Sequence, residues 1–223
     1  RNLDVATAST ETIWDGSTAY SFPSGADITH IWSAVDSAAT QGLQVEVQGL
    51  DSDYNLTVTT HTLDITDSTT KVLLTAAGGA ALRRVFRMKA VDSTAPDQLI
   101  QVGTSGGTVY GQITTGRNQT QMAVYCIPAN KTGYMTKYYG SVNKESSKDP
   151  EGVFELWVRD NANGYVKQIK HTLGVDADGT TVIEHEYKPY FKITEKSDVW
   201  IDFSNIATTA GDISAGFDII LVD

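Results

Sequence analysis

The sequence predicts an all-β fold of two β-sandwich or jelly-roll-like domains, and three observations predict it. Apolar and polar side chains alternate with a period of two nearly everywhere, the rhythm of strands with one buried face. Clusters of Gly, Asn, Asp and Ser break that rhythm at roughly 8–12 residue intervals, the turn spacing of sandwiches and barrels. Thr, Val, Ile and Tyr fill the alternating stretches, while tracts with helical periodicity are hard to find.

Each element follows from that pattern. Leu43, Val45 and Val47 alternate with Gln44, Glu46 and Gln48. A turn-forming stretch at 49–53 follows, and Tyr54, Leu56 and Val58 resume the alternation, which predicts a hairpin. A second hairpin is expected where residues 98–102 meet 108–113 across the Gly-rich 103–107. Phe154, Leu156 and Val158 share one face, and 161–164 turns the chain into a strand over 165–171. A turn at 176–179 leads into 182–187. Val199, Ile201 and Phe203, then Phe217, Ile219 and Leu221, give the closing strands. The best helical candidate, residues 32–39, is too short and too rich in Ser and Asp to hold a helix. A polar break at 115–118 sets the domain boundary, giving residues 1–116 and 117–223. Both halves are acidic, and no internal repeat links them.

Totals narrow the function. A net charge of -10 over 223 residues argues against sequence-independent nucleic-acid binding and against an anionic membrane surface. One cysteine permits no internal disulfide. The longest apolar runs, such as 219–222, are too short to span a bilayer as a helix. Nothing at the start resembles a signal peptide, and the first residue, Arg1, reads as a processed or incomplete chain.

The candidate site residues come from two places. In QMAVYCIPANKTGYMTKYYGSVN, residues 121–143, Cys126 shares an extended face with Met122 and Val124 and reads as a small packing hydrophobe. A nucleophilic role would need a histidine, a cation or a helix N-terminus to depress its pKa. Tyr125, Tyr134, Tyr138 and Tyr139 put rings on both faces of the proposed hairpin. They fit either an ordinary sandwich or an interface, with a sugar platform as a third reading. Arg83, Arg87 and Lys89, with Val85, fall on one side of a strand opposite Phe86, Met88 and Ala90. They read as a solvated edge stripe or as the complement of a neighbour's carboxylates.

Other motifs carry less. Residues 51–55, DSDYN, imitate the opening of a calcium loop, but Leu56 and Thr62 stand where glycine and glutamate belong. In Glu184-His185-Glu186 the carboxylates share a face and the histidine points away, which cannot be a helical zinc motif. Asn55, Asn118 and Asn130 open formal glycosylation sequons. No nucleophile elbow, phosphate loop or dinucleotide fingerprint is present, so no enzyme activity and no cofactor is expected.

The runs NQTQMAVYCIPANKTGYMTKYYGSVN, EHEYKPYFKITEKSDVWIDFSN and SAGFDIILVD resemble uncharacterised virion proteins of marine tailed bacteriophages, most firmly from residue 118 onward. The resemblance implies a capsid decoration or cement protein on the virion surface. Its partners would be copies of itself, possibly as a trimer, and the major capsid protein, with no nucleic acid and no membrane. The motifs are structural and carry no catalytic residue. The alternative is a tail, fibre or host-attachment module that binds surface glycans, with Trp14, Trp32 and Trp157 as stacking candidates.

Overall fold

The computed structural model describes residues 1–16, 18–76, 78–91, 95–143, 151–164, 166–176, 181–207 and 209–223, without the side chains of residues 3 and 4. The protein is all-β, with no helix among the described residues. In chain order the strands are β1 (Asn2–Val5), β2 (Thr10–Thr12), β3 (His30–Ser33), β4 (Gln44–Leu50), β5 (Leu56–Thr62), β6 (Val72–Leu73), β7 (Arg84–Ala90) and β8 (Ile100–Gly103). They continue with β9 (Val109–Ile113), β10 (Val124–Cys126), β11 (Thr132–Asn143), β12 (Glu151–Asp160), β13 (Val166–Asp176), β14 (Thr181–Ile193), β15 (Ser197–Asn205) and β16 (Gly211–Val222).

Two compact units form: Arg1–Tyr20 with Met122–Asp223, and Ser21–Gln121. The second crossing lies close to the polar break read from the sequence. The first does not, because residues 1–20 leave the N-terminal half and join the C-terminal one. The reason is pairing. β1 and β2 are too short to stand alone, and they complete sheets as neighbours of β16 (Asn2↔Ile213) and β15 (Thr12↔Asp202). The Asn205 side-chain amide donates to the Val5 carbonyl oxygen at 3.0 Å and fastens this return.

The terminal unit holds two antiparallel sheets, β1-β16-β11-β14 and β10-β15-β12-β13, with β2 beside β15. Both feed one apolar cluster. Met135, Tyr138, Val142 and Ile213 enter it from the first sheet, and Phe154, Leu156, Ile201 and Phe203 from the second. The alternation read from the sequence holds on β12 and β15. Phe154 faces Phe203 across the ladder with ring centroids 4.8 Å apart. At the same strands' end the fully buried Asp198 accepts from the Arg159 guanidinium at 2.6 Å and from the Asn161 amide at 2.7 Å.

The inserted unit carries the sheets β6-β3-β8-β9 and β5-β4-β7 around a core that includes Ile31, Val45, Val47, Leu82, Met88 and Ile100. The two expected hairpins are β4/β5 and β8/β9. On β5, however, Leu56 and Val58 are 55% and 50% exposed, and the buried members are His61 and, just beyond the strand, Leu63. Strand β5 is a sheet edge, and there the alternation marks the outer face. The turn expected at 176–179 falls mostly outside the described residues.

Candidate functional site

Strand β11 places three of the four tyrosines singled out in the sequence. A simple period of two would put Tyr134 and Tyr138 on one face and Tyr139 on the other. The register against both neighbours shifts between Met135 and Lys137, so Thr136 is a bulge and the parity reverses there. Gly133 and Met135 face the core before it; Tyr138, Gly140 and Val142 face the core after it. Tyr134 and Tyr139 therefore share the outer face. Tyr138 is 1% exposed and belongs to the interior, so it offers no surface to a partner. Tyr125 on β10 also packs against the core, and burial pushes its hydroxyl up to about 12. Of the four, only Tyr134 and Tyr139 remain candidates for an interface.

The outer face of this sheet has a defined geometry. Tyr139 pairs with Gly216, and its ring lies across that glycine, where a Cβ would come within 2.6 Å of the hydroxyl. The Lys137 ammonium sits 5.7 Å from the Tyr139 ring centroid, 3.9 Å from Glu184 Oε2 on β14 and 3.8 Å from Asp218 Oδ2 on β16. Such exposed pairs add little stability but hold a charge pattern in place. Tyr134 stands between Ile220 and Lys192 across the ladders, and Ile220 is 49% exposed. Among the described residues, β14 pairs with β11 alone, and β16 beyond Ile213 also pairs with β11 alone. The sheet thus presents aromatic and aliphatic side chains between two open edges, a surface suited to contact rather than to bond chemistry.

On the core side, Tyr138 meets histidines from both sheets. Its hydroxyl is 2.5 Å from His171 Nδ1 on β13. The His171 and His185 rings stack at 4.0 Å, and Tyr187 meets His185 edge-on at 4.7 Å. Burial, helped by His185, holds the His171 imidazole below its ordinary value, and burial raises the Tyr187 hydroxyl to about 12. The sequence placed Glu184 and Glu186 on one face with His185 opposite, and the structure agrees. It gave no sign that His171 lay across from His185, because the two strands belong to different sheets.

The cationic stripe on β7 does not survive as one face. The register against β4 shifts so that Phe86 is an extra residue, and Val85, Met88 and Ala90 all enter the core. Arg83 precedes the strand and donates to the carbonyl oxygens of Ser24 at 2.6 Å and Ser52 at 3.3 Å. Arg87 reaches Gln119 Oε1 at 3.2 Å, and Lys89 lies 3.5 Å from Glu46. These three cations serve separate local partners. Sequence reasoning passed over Arg84, which is buried and donates to Pro23 O at 2.8 Å beneath the Phe22 ring.

The remaining candidates resolve as follows. Cys126 is 1% exposed, as a packing residue should be. Asp51 Oδ1 accepts from the backbone N–H groups of Asp53 and Asn55 at 2.8 and 2.9 Å, the work of a turn-forming aspartate. Trp14 and Trp32 are buried, which removes them as stacking platforms. Trp157 is half-buried, stacked on Trp200 at 5.9 Å and covered by Lys167 at 5.0 Å. No family model, curated protein or solved structure matches the chain.

Proposed function

We propose that this protein is a structural component of a tailed-bacteriophage virion, a decoration or cement protein on the capsid surface that acts through repeated contacts with its own copies and with the major capsid protein. In this reading both units are sandwich-like, of jelly-roll type. The shared core of the two terminal sheets supports that architecture, and the sequence resemblance supports the virion setting. The acidic charge suits a particle exterior rather than its nucleic acid.

The observation that carries the reading is the outer face around Tyr139. A tyrosine seated on a glycine, a lysine held between carboxylates and, farther along the same face beside Tyr134, an exposed isoleucine make a patch of interface composition. Stable association needs about 800 Å² per partner, so the patch would act with the open strand edges beside it. The test is co-sedimentation of purified protein with undecorated capsids, together with light scattering of the protein alone. Wild type should saturate the shell, and Tyr139→Ala with Ile220→Asp should abolish that binding while keeping the wild-type circular dichroism. Saturation unchanged by both substitutions would refute the patch, and no shell binding by wild type would refute the role.

A further inference from the structure

A cleft of about 380 Å³ opens at one end of the terminal unit, between the inner faces of its two sheets. Its existence follows from the register of β13. The register against β12 slips between Leu156 and Trp157, so that Lys170 is an unopposed bulge residue. Before the bulge the core side of β12 meets Val175, Leu173 and His171; after it, Val158 meets Gln168. An amide and an ammonium therefore stand where a continuing sandwich would bury apolar side chains. Polar groups on the core side of a sheet need hydrogen-bond partners, from the protein, from water or from a ligand. Opposite, β14 supplies Phe191, which shares the core side with Met135, its partner across the ladder. The Lys170 ammonium is hydrogen-bonded to Gln168 Oε1 and lies 5.9 Å from the Phe191 ring centroid. Asn163, Lys192 and Thr194 line the same cleft, and they also line a second cleft of about 470 Å³ that runs on toward Lys131.

We propose that this groove binds an acidic saccharide, a sugar ring bearing a carboxylate or a sulfate. Its C–H face lies on Phe191 and its hydroxyls on Gln168, Asn163 and Thr194. Its anionic group lies on Lys170 and toward Lys192, which lines the cleft at its rim because its strand position faces outward beside Tyr134. Size supports this, since small-molecule sites span roughly 300–1,000 Å³, and two adjoining clefts accept successive units of a chain. Charge supports it as well. In a chain of net charge -10, the groove's carboxylates are already engaged. Asp160 accepts from the N–H groups of Ala162 and Asn163 at 3.0 Å each, from the Asn163 amide at 2.9 Å and from the Thr194 hydroxyl at 3.0 Å. Glu195 accepts from the Asn130 N–H at 2.6 Å. Neither Lys170 nor Lys192 has a carboxylate partner among the described residues, which leaves two cations for an anion on the ligand. The aromatic floor and amide walls then select a sugar over a bare ion.

Apart from Lys192, which also stands beside Tyr134, this site shares no residue with the particle-contact face, and it is tested on the whole chain in solution. The probes are oligogalacturonate, a sulfated carrageenan oligosaccharide and neutral maltohexaose, titrated by calorimetry at low and at physiological salt. Saturable binding of either charged oligomer, weakening with salt and absent for maltohexaose, supports the proposal, and the two arms tell carboxylate from sulfate. Lys192→Gln and Phe191→Leu should each lower the affinity at least tenfold, whereas Tyr139→Ala should leave it unchanged. Lys192→Gln lies at the mouth and leaves the core untouched, so a folding defect in the other variant does not decide the result. No binding of either charged oligomer, equal binding of maltohexaose, or undiminished affinity in folded Lys192→Gln would overturn it.

Discussion

The hydroxyl of Tyr138 on β11 and Nδ1 of His171 on β13, 2.5 Å apart, join the two sheets of the terminal unit by a side-chain hydrogen bond. His185 stacks on the same imidazole. A proton added to His171 would remove the lone pair that can accept from Tyr138 and would place a cation against a second imidazole.

Stability should therefore fall on acidification. The His171 imidazole is held below its ordinary value of 6.5 in the folded chain, so the unfolded chain takes up the proton first. The contribution is complete above about pH 6.5 and is lost as pH drops through the lower, folded value. His61, buried in the inserted unit, is depressed in the same direction by burial. Melting temperature measured from pH 8 to pH 5 should decline below pH 6.5. His171→Gln should flatten part of the decline and leave the share of His61. A slope unchanged by His171→Gln would show that this imidazole is not involved.

Gly140→Ala should destabilise the protein by roughly 1–3 kcal/mol, the usual cost of overpacking a core. The added methyl would stand 2.7 Å from the Phe154 ring, which is fully buried against Phe203 and has nowhere to go. Gly174→Ala meets nothing within 4 Å and serves as the control. Urea unfolding of the two variants should separate them clearly.

Arg159→Met should cost roughly 3–5 kcal/mol, because it strips the guanidinium from a fully buried carboxylate at Asp198. Adding Asp198→Leu to the same chain should recover most of the loss, since the pair is then replaced by apolar atoms. If the double variant is as unstable as the single one, the pair contributes more than its own neutralisation.

The Cys126 thiol should resist a water-soluble disulfide reagent in native buffer and react fully in denaturant. Rapid native labelling would mean that β10 opens locally far more often than its burial implies.

Much of the fold was legible in the two-residue rhythm. Phe154, Leu156 and Val158, and Val199, Ile201 and Phe203, face inward as that rhythm requires. The rhythm misleads wherever one strand carries an extra residue. Bulges at Thr136, Phe86 and Lys170 each reverse which parity is inside, and no local propensity announces them. By parity alone Tyr138 shares a face with Tyr134, and Arg83 and Val85 share one with Arg87; the bulges separate Tyr138 from Tyr134 and Val85 from Arg87. Edge position is the second blind spot, since Leu56 and Val58 alternate like core residues yet face outward. Pairing between distant segments is the third. The return of β1 and β2 to the last two strands cannot be read from either end alone. Of the candidate surface, the tyrosine-rich strand was visible in the sequence, whereas the groove beside Lys170 depends on a register slip.

The insertion of residues 21–121 within the other unit has a consequence for biogenesis. As the chain leaves the ribosome, the inserted segment is contiguous and can complete its own core early. The first two strands must meanwhile wait, unpaired, until β15 and β16 emerge to receive them. The terminal sheets thus close only after β15 and β16 have been made, and a chain stalled before Ser197 would leave those early strands exposed to misassembly.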